Sequence, residues 1–464
     1  MRPQAGSASP AAFVPRERDL DFVFACLARS ESCSIVGLSN MGKSSLLRTL
    51  AALDARTVAA RLARANRRQP LFVYVDCNLM LELTGQGFYE VILRALIEAL
   101  EGTRQLQSVL PAVQACYDRL VEAQGAFQVS LNFNEAIAAA LEQLDRMLVL
   151  LLDEFDEAFA ALDGRVFLNL RALDDKYGDR IAYITATVQP LSAGRADADA
   201  NVDEFCELFA QRAYHLGLLG PDDARALVTL LAARKGVALA GDEVEFVLAQ
   251  AGGHPGLISA TVQALIRAGP GVAPDHRDGL FGLVASALDD DENVRRELSK
   301  LWQQLGPEEQ EGAIRFVTGG VEAAGPAAVA RLAALGILGD GDEPRFPGRL
   351  LSEYVRRQRR IRQDVPPGVW IDVEAGDVWV DGAPAPALTD LEYRLLLLLY
   401  GRLEKICDKY QIVEAVWGQD YIDEVDDARI EKLISRVRGK IEQDPANPRY
   451  LLTVRGRGYR LVRG

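Results

Sequence analysis

Metal and disulfide chemistry have little to work with in this chain. Of 464 residues only three are histidine and six cysteine. The six (Cys26, Cys33, Cys77, Cys116, Cys206, Cys407) are scattered, with no C-x-x-C pair. Neither a zinc site nor a disulfide framework is expected, and reduced, mostly buried thiols in a cytoplasm fit that usage. Long apolar runs are missing too. The longest, near 147–152 and 395–400, fall far short of a membrane span, and the N-terminus lacks the apolar stretch of a secretion signal. A soluble cytoplasmic protein with no membrane partner is expected. Positive charge is not in excess either: 52 Lys and Arg against 66 Asp and Glu leave a formal charge of −14. That excludes a uniformly basic nucleic-acid coat but leaves room for a local basic patch. No protease, nuclease or TIR-like effector constellation is present, and no repeat array.

What is present begins with Gly37-Leu38-Ser39-Asn40-Met41-Gly42-Lys43-Ser44, which fits G-x-x-x-x-G-K-[ST], the phosphate-binding loop of P-loop NTPases. Ser32 to Val36 read as a short buried strand and Ser45 to Ala52 as a helix, the context the motif requires. Glycines let backbone N–H groups close around phosphate oxygens, and the helix N-terminus adds its own N–H groups and partial positive charge. Gly37, Asn40, Met41, Gly42, Lys43, Ser44 and Ser45 therefore form the expected ATP/ADP cradle. Lys43 is expected to reach the β/γ-phosphates, and the Ser44 hydroxyl to hold Mg²⁺.

At this length, with 49% hydrophobic residues, roughly three domains are expected. Residues 1–12 read as a disordered leader. Strand-like runs at 33–37, 71–77, 147–152, 181–186 and 213–216 alternate with helical segments at 44–66, 86–102, 108–123, 134–146 and 165–175. Buried strands alternating with helices predict an α/β core, residues 13–220, with a parallel sheet covered on both faces. The strand Leu148–Leu152 runs straight into Asp153-Glu154, which puts two carboxylates at the sheet's carboxyl edge, where ligands bind. Asp153 is expected in the Mg²⁺ shell and Glu154 to polarise an attacking water, the division of labour of phosphoryl transfer. Thr185 and Thr187 end the next strand, as γ-phosphate sensors or as ordinary strand residues. Arg212 precedes the last strand, either supplying transition-state charge, in its own chain or to a neighbouring subunit, or simply solvated.

Residues 221–278 read as a helical lid broken by Gly252-Gly253-His254-Pro255-Gly256, in which His254 is more often a packed loop residue than a ligand. Residues 279–362 add helices, a Gly-rich turn at Gly336 to Gly341 and a basic last helix. Its run Arg356-Arg357-Gln358-Arg359-Arg360 is either a DNA contact, a hinge contact or a solvated face. Phe13-Val14-x-Arg16-Glu17, the phosphate loop, Asp153-Glu154 and Gly253-His254-Pro255 together resemble the STAND class of AAA+-related signalling ATPases, over about residues 12–362. The resemblance implies a P-loop domain, a helical lid and a winged helix (279–362). It also implies that Arg16-Glu17 lies near the adenine and that Pro255 packs on the base. Related sensor strands often end in Thr-Thr-Arg, whereas Thr185-Ala186-Thr187 has no arginine; slow hydrolysis suits a switch.

Gln363 to Gly368 is a linker by composition. Beyond it, residues 369–381 alternate as a hairpin, Thr389 is a fair N-cap for a helix, and a second helix covers about 408–417. A third begins near Asp426 or Asp427. On it Ile430, Leu433, Ile434, Val437 and Ile441 make one apolar stripe, with Arg429, Lys432, Arg436 and Lys440 on other positions. Two strands around the basic, Gly-punctuated Arg455-Gly456-Arg457-Gly458 read as a wing. From 428 to 464 ten Lys and Arg, Arg438 included, face only Glu431, Glu442 and Asp444, the footprint of a phosphate-backbone binder. TDLEYRLLLLL, AVWG, RIEKLISRVRGKI and YLLTVRGRGYRL resemble the OmpR/PhoB-type winged helix, the output domain of phosphorelays, over 369–464. The resemblance implies that 426–442 is the recognition helix and that Arg455 reaches a minor groove or phosphate. Base readout then falls to Arg429, Lys432 and Arg436.

The reading is a nucleotide-dependent DNA-binding switch, a transcriptional regulator with RNA polymerase or an effector protein as possible partner and a possible nucleotide-dependent homo-oligomer. The alternative is an ATPase of a defence or mobile-element system whose last module recruits partners to DNA or binds protein.

Overall fold

The computed structural model describes residues 16–63, 68–103, 106–194, 199–269, 277–339, 343–364, 368–373, 377–386, 388–418 and 427–462. The leader at 1–12, Phe13-Val14, and Val365 to Pro367 of the linker lie outside the described residues. The chain divides into two compact units: Met1–Val284 with Ala330–Gly348, and Ala285–Val329 with Arg349–Gly464.

The first unit is built on five parallel strands, β1 (Cys33–Val36), β2 (Pro70–Asp76), β3 (Met147–Asp153), β4 (Ile181–Thr187) and β5 (Ala213–His215), in the order β2-β3-β4-β1-β5. Every residue of β3 is buried. Leu148, Leu150 and Leu152 join one core cluster, while Val149 and Leu151, on the opposite face, are buried outside it. Such a strand has cover on both faces, which is why its sequence is continuously apolar instead of alternating.

The helices of this core are α1 (Glu17–Leu27), α2 (Lys43–Ala52), α3 (Ala55–Leu62), α4 (Gly85–Glu101), α5 (Leu110–Val121), α6 (Ala126–Gln143), α7 (Phe155–Ala161), α8 (Gly164–Tyr177) and α9 (Ala200–Cys206). The single helix expected over 44–66 is two, because the Asp54 side chain accepts from the N–H groups of Arg56 and Thr57 and so opens α3 as its N-cap. Then come α10 (Pro221–Arg234), α11 (Gly241–Ala251), α12 (Pro255–Ala268) and α13 (Arg277–Asp290), the last crossing into the second unit.

The compact units cut across the expected 279–362 segment. Its stretch Ala330–Gly348 belongs with the P-loop unit. Gly336, at φ +71, sits so close to the phosphate loop that an added Cβ would come within 2.7 Å of Met41 Cε. A Cβ on Gly348 would lie 2.6 Å from the Gln250 carbonyl oxygen.

In the second unit α14 (Glu292–Gln303), α15 (Pro307–Ala324, kinked at Gly319-Gly320), α16 (Pro326–Ala334, shared with the first unit) and α17 (Arg349–Asp364) come first. No strand occurs among the described residues of 279–362. The C-terminal module follows: an antiparallel sheet of β6 (Val369–Asp372), β7 (Asp377–Val380) and β8 (Ala383–Pro384), then α18 (Asp390–Gly401), α19 (Lys409–Val416) and α20 (Asp427–Ile441). The hairpin of β9 (Leu451–Val454) and β10 (Gly458–Leu461) closes it. The stripe Ile430, Leu433, Ile434, Val437 and Ile441 is buried in the module's core against Leu395, Leu399 and Ile412. Glu442 fixes the turn after α20 by accepting from the backbone N–H groups of Arg449, Tyr450 and Leu451.

Candidate nucleotide site and nucleic-acid interface

β1 delivers Gly37 to the carboxyl edge, where the loop turns through left-handed backbone at Asn40 (φ 58) and Gly42 (φ 99) before α2 begins. Lys43 folds back under this loop. Its Nζ donates to the carbonyls of Gly37 at 2.6 Å and Leu38 at 3.2 Å. Burial lowers the Lys43 pKa, opposed by the charges of Asp156, Glu154 and Asp153. Ser44 Oγ donates to Asp153 Oδ1 at 3.1 Å, and Ser45 lies exposed on the first turn of α2. β3 thus sets its terminal carboxylate against the hydroxyl that follows the lysine. A carboxylate and a hydroxyl at one sheet edge are the hard oxygen donors that Mg²⁺ takes, so the residues fit that ion. Glu154 starts α7 from a left-handed conformation (φ 51) with its side chain exposed. Partial desolvation and then the Asp153 charge raise its carboxyl, Lys43 opposing.

Arg16 is brought to the same place. Buried, at φ 41, it donates to the Met41 carbonyl at 2.5 Å, to Asp19 at 2.8 Å and to the Gly217 carbonyl. The Gly-His-Pro turn arrives from the helical region after the core: the Gly253 carbonyl accepts from Leu219 N–H, and Pro255 occupies the first turn of α12. His254 caps α12 through Nδ1, which accepts from Leu257 N–H at 3.1 Å. Its ring is buried beside the Ser39 backbone, and burial lowers its pKa to about 4.

Two expected residues are not brought to Lys43. Thr185 is fully buried within the sheet, its hydroxyl donating to Ser34 Oγ at 2.9 Å, three residues before the strand-end glycine. Thr187 is the residue at the edge, spending its hydroxyl on the Gln189 carbonyl. Arg212 sits at the amino edge of the sheet, where its carbonyl accepts from Ser34 N–H and its guanidinium pairs with Glu31 at 2.8 Å. A strand's length therefore separates it from the phosphate loop of its own chain.

Sequence reasoning missed two side chains. Tyr74 of β2 donates its hydroxyl to Asp153 Oδ2 at 2.5 Å, and Asp156 Oδ1 accepts from Val188 N–H at 2.8 Å. The signal for Tyr74 was its place two residues before Asp76 in a strand paired in register with β3, so that Asp76 lies beside Asp153.

In the C-terminal module the basic residues fall into two groups. Arg429, Lys432 and Arg436 are exposed on α20, and Arg455 and Arg457 are exposed at the hairpin tip. Arg429 also lies over the Trp417 ring, 5.8 Å from its centroid. Arg438 and Lys440 are turned to internal work. Arg438 donates to the Leu451 carbonyl and to Thr453 Oγ1, and Lys440 pairs with buried Glu392 at 2.6 Å. Those two hold the hairpin and α18 to α20 instead of offering a free cation to DNA.

A parallel sheet whose first strand runs into a lysine-bearing glycine loop, opposite a strand-end aspartate, defines a P-loop NTPase domain. The family model "Novel STAND NTPase 1" matches residues 6–268, and the chain belongs to that family. The model "Transcriptional regulatory protein, C terminal" matches residues 384–461, so the NTPase domain is joined to an OmpR/PhoB-type winged-helix DNA-binding domain. The sensory transduction protein RegX3 of Mycolicibacterium smegmatis is 41% identical over 93 residues, 20% of this chain and 40% of that protein. Among solved structures, the Klebsiella pneumoniae RstA DNA-binding domain in complex with RstA box is 26% identical over 20% of this chain and 91% of that one, with a TM-score of 0.19. The Walker-type ATPase paby2304 of Pyrococcus abyssi is 13% identical over 74% of this chain and 95% of that one, with a TM-score of 0.42. The chain spans about two fifths of the length of the first curated relatives it matches. No described helix is long and apolar enough to cross a membrane.

Proposed function

We propose that this chain is an ATP-dependent switch that controls DNA binding, and that it acts as a transcriptional regulator. The observation that carries the reading is that one chain holds both a phosphate cradle, with Lys43 under the Gly37 and Leu38 carbonyls and Ser44 bonded to Asp153, and a cationic face of Arg429, Lys432, Arg436, Arg455 and Arg457. Gly37 to Ser45 hold the phosphates of ATP or ADP, Ser44 and Asp153 hold Mg²⁺, and Arg16 and Pro255 flank the base. Glu154 orients water for a slow hydrolysis that resets the state. Residues 221–278 act as the lid, and the helices of 279–362, whose stretch Ala330–Gly348 belongs with the P-loop unit, stand where a winged helix is expected. Nucleotide shifts the equilibrium only through contacts that differ between its states. The Arg16 guanidinium on the Met41 carbonyl and His254 beside Ser39 are such contacts, since both bear on the loop that must open around phosphate.

The test is operator binding by the full chain, with the operator found by selection from random duplexes, in the empty, ADP-loaded and ATP-loaded states. At least a fivefold difference in affinity between two of the states is expected, the low end of ordinary allosteric coupling. Equal affinity in all three at every salt concentration refutes the switch. RegX3 is named for sensory transduction; here nucleotide occupancy takes the place of that input.

A further inference from the structure

Asp153, at the sheet edge, is held at both of its carboxylate oxygens. Oδ1 accepts from Ser44 Oγ at 3.1 Å and from Glu154 N–H at 3.1 Å, and Oδ2 accepts from the Tyr74 hydroxyl at 2.5 Å. Asp carboxylates rotate in a broad, roughly twofold well about their last torsion, so a strand-end aspartate keeps one orientation only if both oxygens are held. Ser44 and the Glu154 backbone hold Oδ1, and the Tyr74 hydroxyl holds the far oxygen.

Tyr74 is itself fixed on two sides. β2 pairs in register with β3, setting Tyr74 opposite Leu151 and Asp76 opposite Asp153. The Arg48 guanidinium of α2, one turn beyond Ser44, lies over the phenol ring at 5.2 Å. The phenol therefore joins β2, β3 and the helix that opens with Lys43 and Ser44.

We propose that Tyr74 is a positioning residue for Mg²⁺: by holding Oδ2 of Asp153 it presents Oδ1, together with the Ser44 hydroxyl, in the orientation the cation requires. This rests on the nucleotide-site reading above and adds to it a residue outside the phosphate loop and the strand-end carboxylate pair. An O–H to carboxylate bond of this length is charge-assisted and strong. Partners of this kind, one bond removed from a metal, commonly set its affinity. A purely structural tyrosine satisfying its own hydroxyl would leave metal dependence unchanged, which makes the two roles separable.

The experiment is equilibrium binding of a fluorescent ATP analogue to the full chain, first in EDTA and then titrated with MgCl₂. Tyr74→Phe is expected to keep the metal-free affinity within about twofold and to raise the Mg²⁺ midpoint roughly tenfold. Tyr74→Gln, which retains a donor, is expected to fall between. In an Asp153→Asn background, adding Tyr74→Phe is expected to change nothing further. An unmoved midpoint in Tyr74→Phe overturns the proposal, as does a further shift in the Asp153→Asn background. Loss of metal-free binding in both Tyr74 variants makes the residue structural and overturns it too. If Asp153→Asn leaves the Mg²⁺ response of the wild-type chain intact, the metal-site reading itself fails, a result distinct from failure of the Tyr74 role alone.

Discussion

Arg436 and Arg438 stand two positions apart on α20 and do different work. Arg436 is exposed, whereas Arg438 donates three hydrogen bonds to the hairpin that follows. Arg438→Ala is therefore expected to lower the stability of the C-terminal module by about 1–3 kcal/mol, as the Leu451 carbonyl and the Thr453 hydroxyl lose a charged donor. Arg436→Ala is expected to leave the melting temperature unchanged, weaken DNA binding, and reduce the slope of log affinity against log salt by about one. Thermal melting and a salt series of binding isotherms separate the two. The charge count over 428–464 took both arginines as candidate DNA contacts. Helical spacing does not say which long side chain turns toward a neighbouring strand, and that is the part the sequence leaves illegible.

His254 makes a second case at this scale. Its pKa is lowered to about 4 by burial, against an ordinary value near 6.5. Between those two values the unfolded chain takes up a proton that the folded chain refuses, so stability falls as pH drops through that window, by up to about 3 kcal/mol, and not above it. His254→Asn keeps an N-cap for α12 and removes the titration. Denaturant melts of wild type and variant at pH 7 and pH 4.5 are expected to show a smaller acid loss in the variant. An equal loss in both would place the ring's acidity elsewhere.

At the scale of elements, the sheet was the legible part. Five strand-like runs became five strands within a residue or two of their expected limits; β3, buried throughout, is continuously apolar for that reason, whereas the edge strand β5 is largely exposed. The short helix α7 was not legible, since it begins from the left-handed Glu154 immediately after the strand and has no capping signature. The placement of Ala330–Gly348 with the P-loop unit was also hidden. Its Gly-rich composition announced a turn, but not that the turn would close on Met41. Gly336, at φ +71, needs the left-handed region, and its neighbour is the flexible end of a methionine. Backbone strain therefore outweighs crowding, and Gly336→Ala is expected to cost about 1 kcal/mol, read as a lower denaturant midpoint with an unchanged m-value.

At the scale of the whole molecule, the switch is a statement about coupling and not about distance. Free-energy linkage makes it reciprocal: if ATP changes operator affinity by some factor, operator must change ATP affinity by the same factor. Lys43→Ala, which removes the ammonium lying under Gly37 and Leu38, is expected to weaken ATP binding by at least a hundredfold and to leave DNA affinity at its empty-state value whatever nucleotide is added. Measuring ATP affinity with and without saturating operator, and operator affinity with and without ATP, both in wild type, closes the thermodynamic square, and Lys43→Ala serves as the uncoupled control. A wild-type square whose two ratios agree and differ from one establishes that the phosphate cradle and the cationic helix bias one shared equilibrium. Ratios of one on both sides would mean that the two activities merely share a chain, and the α20 face would then bind its DNA irrespective of nucleotide.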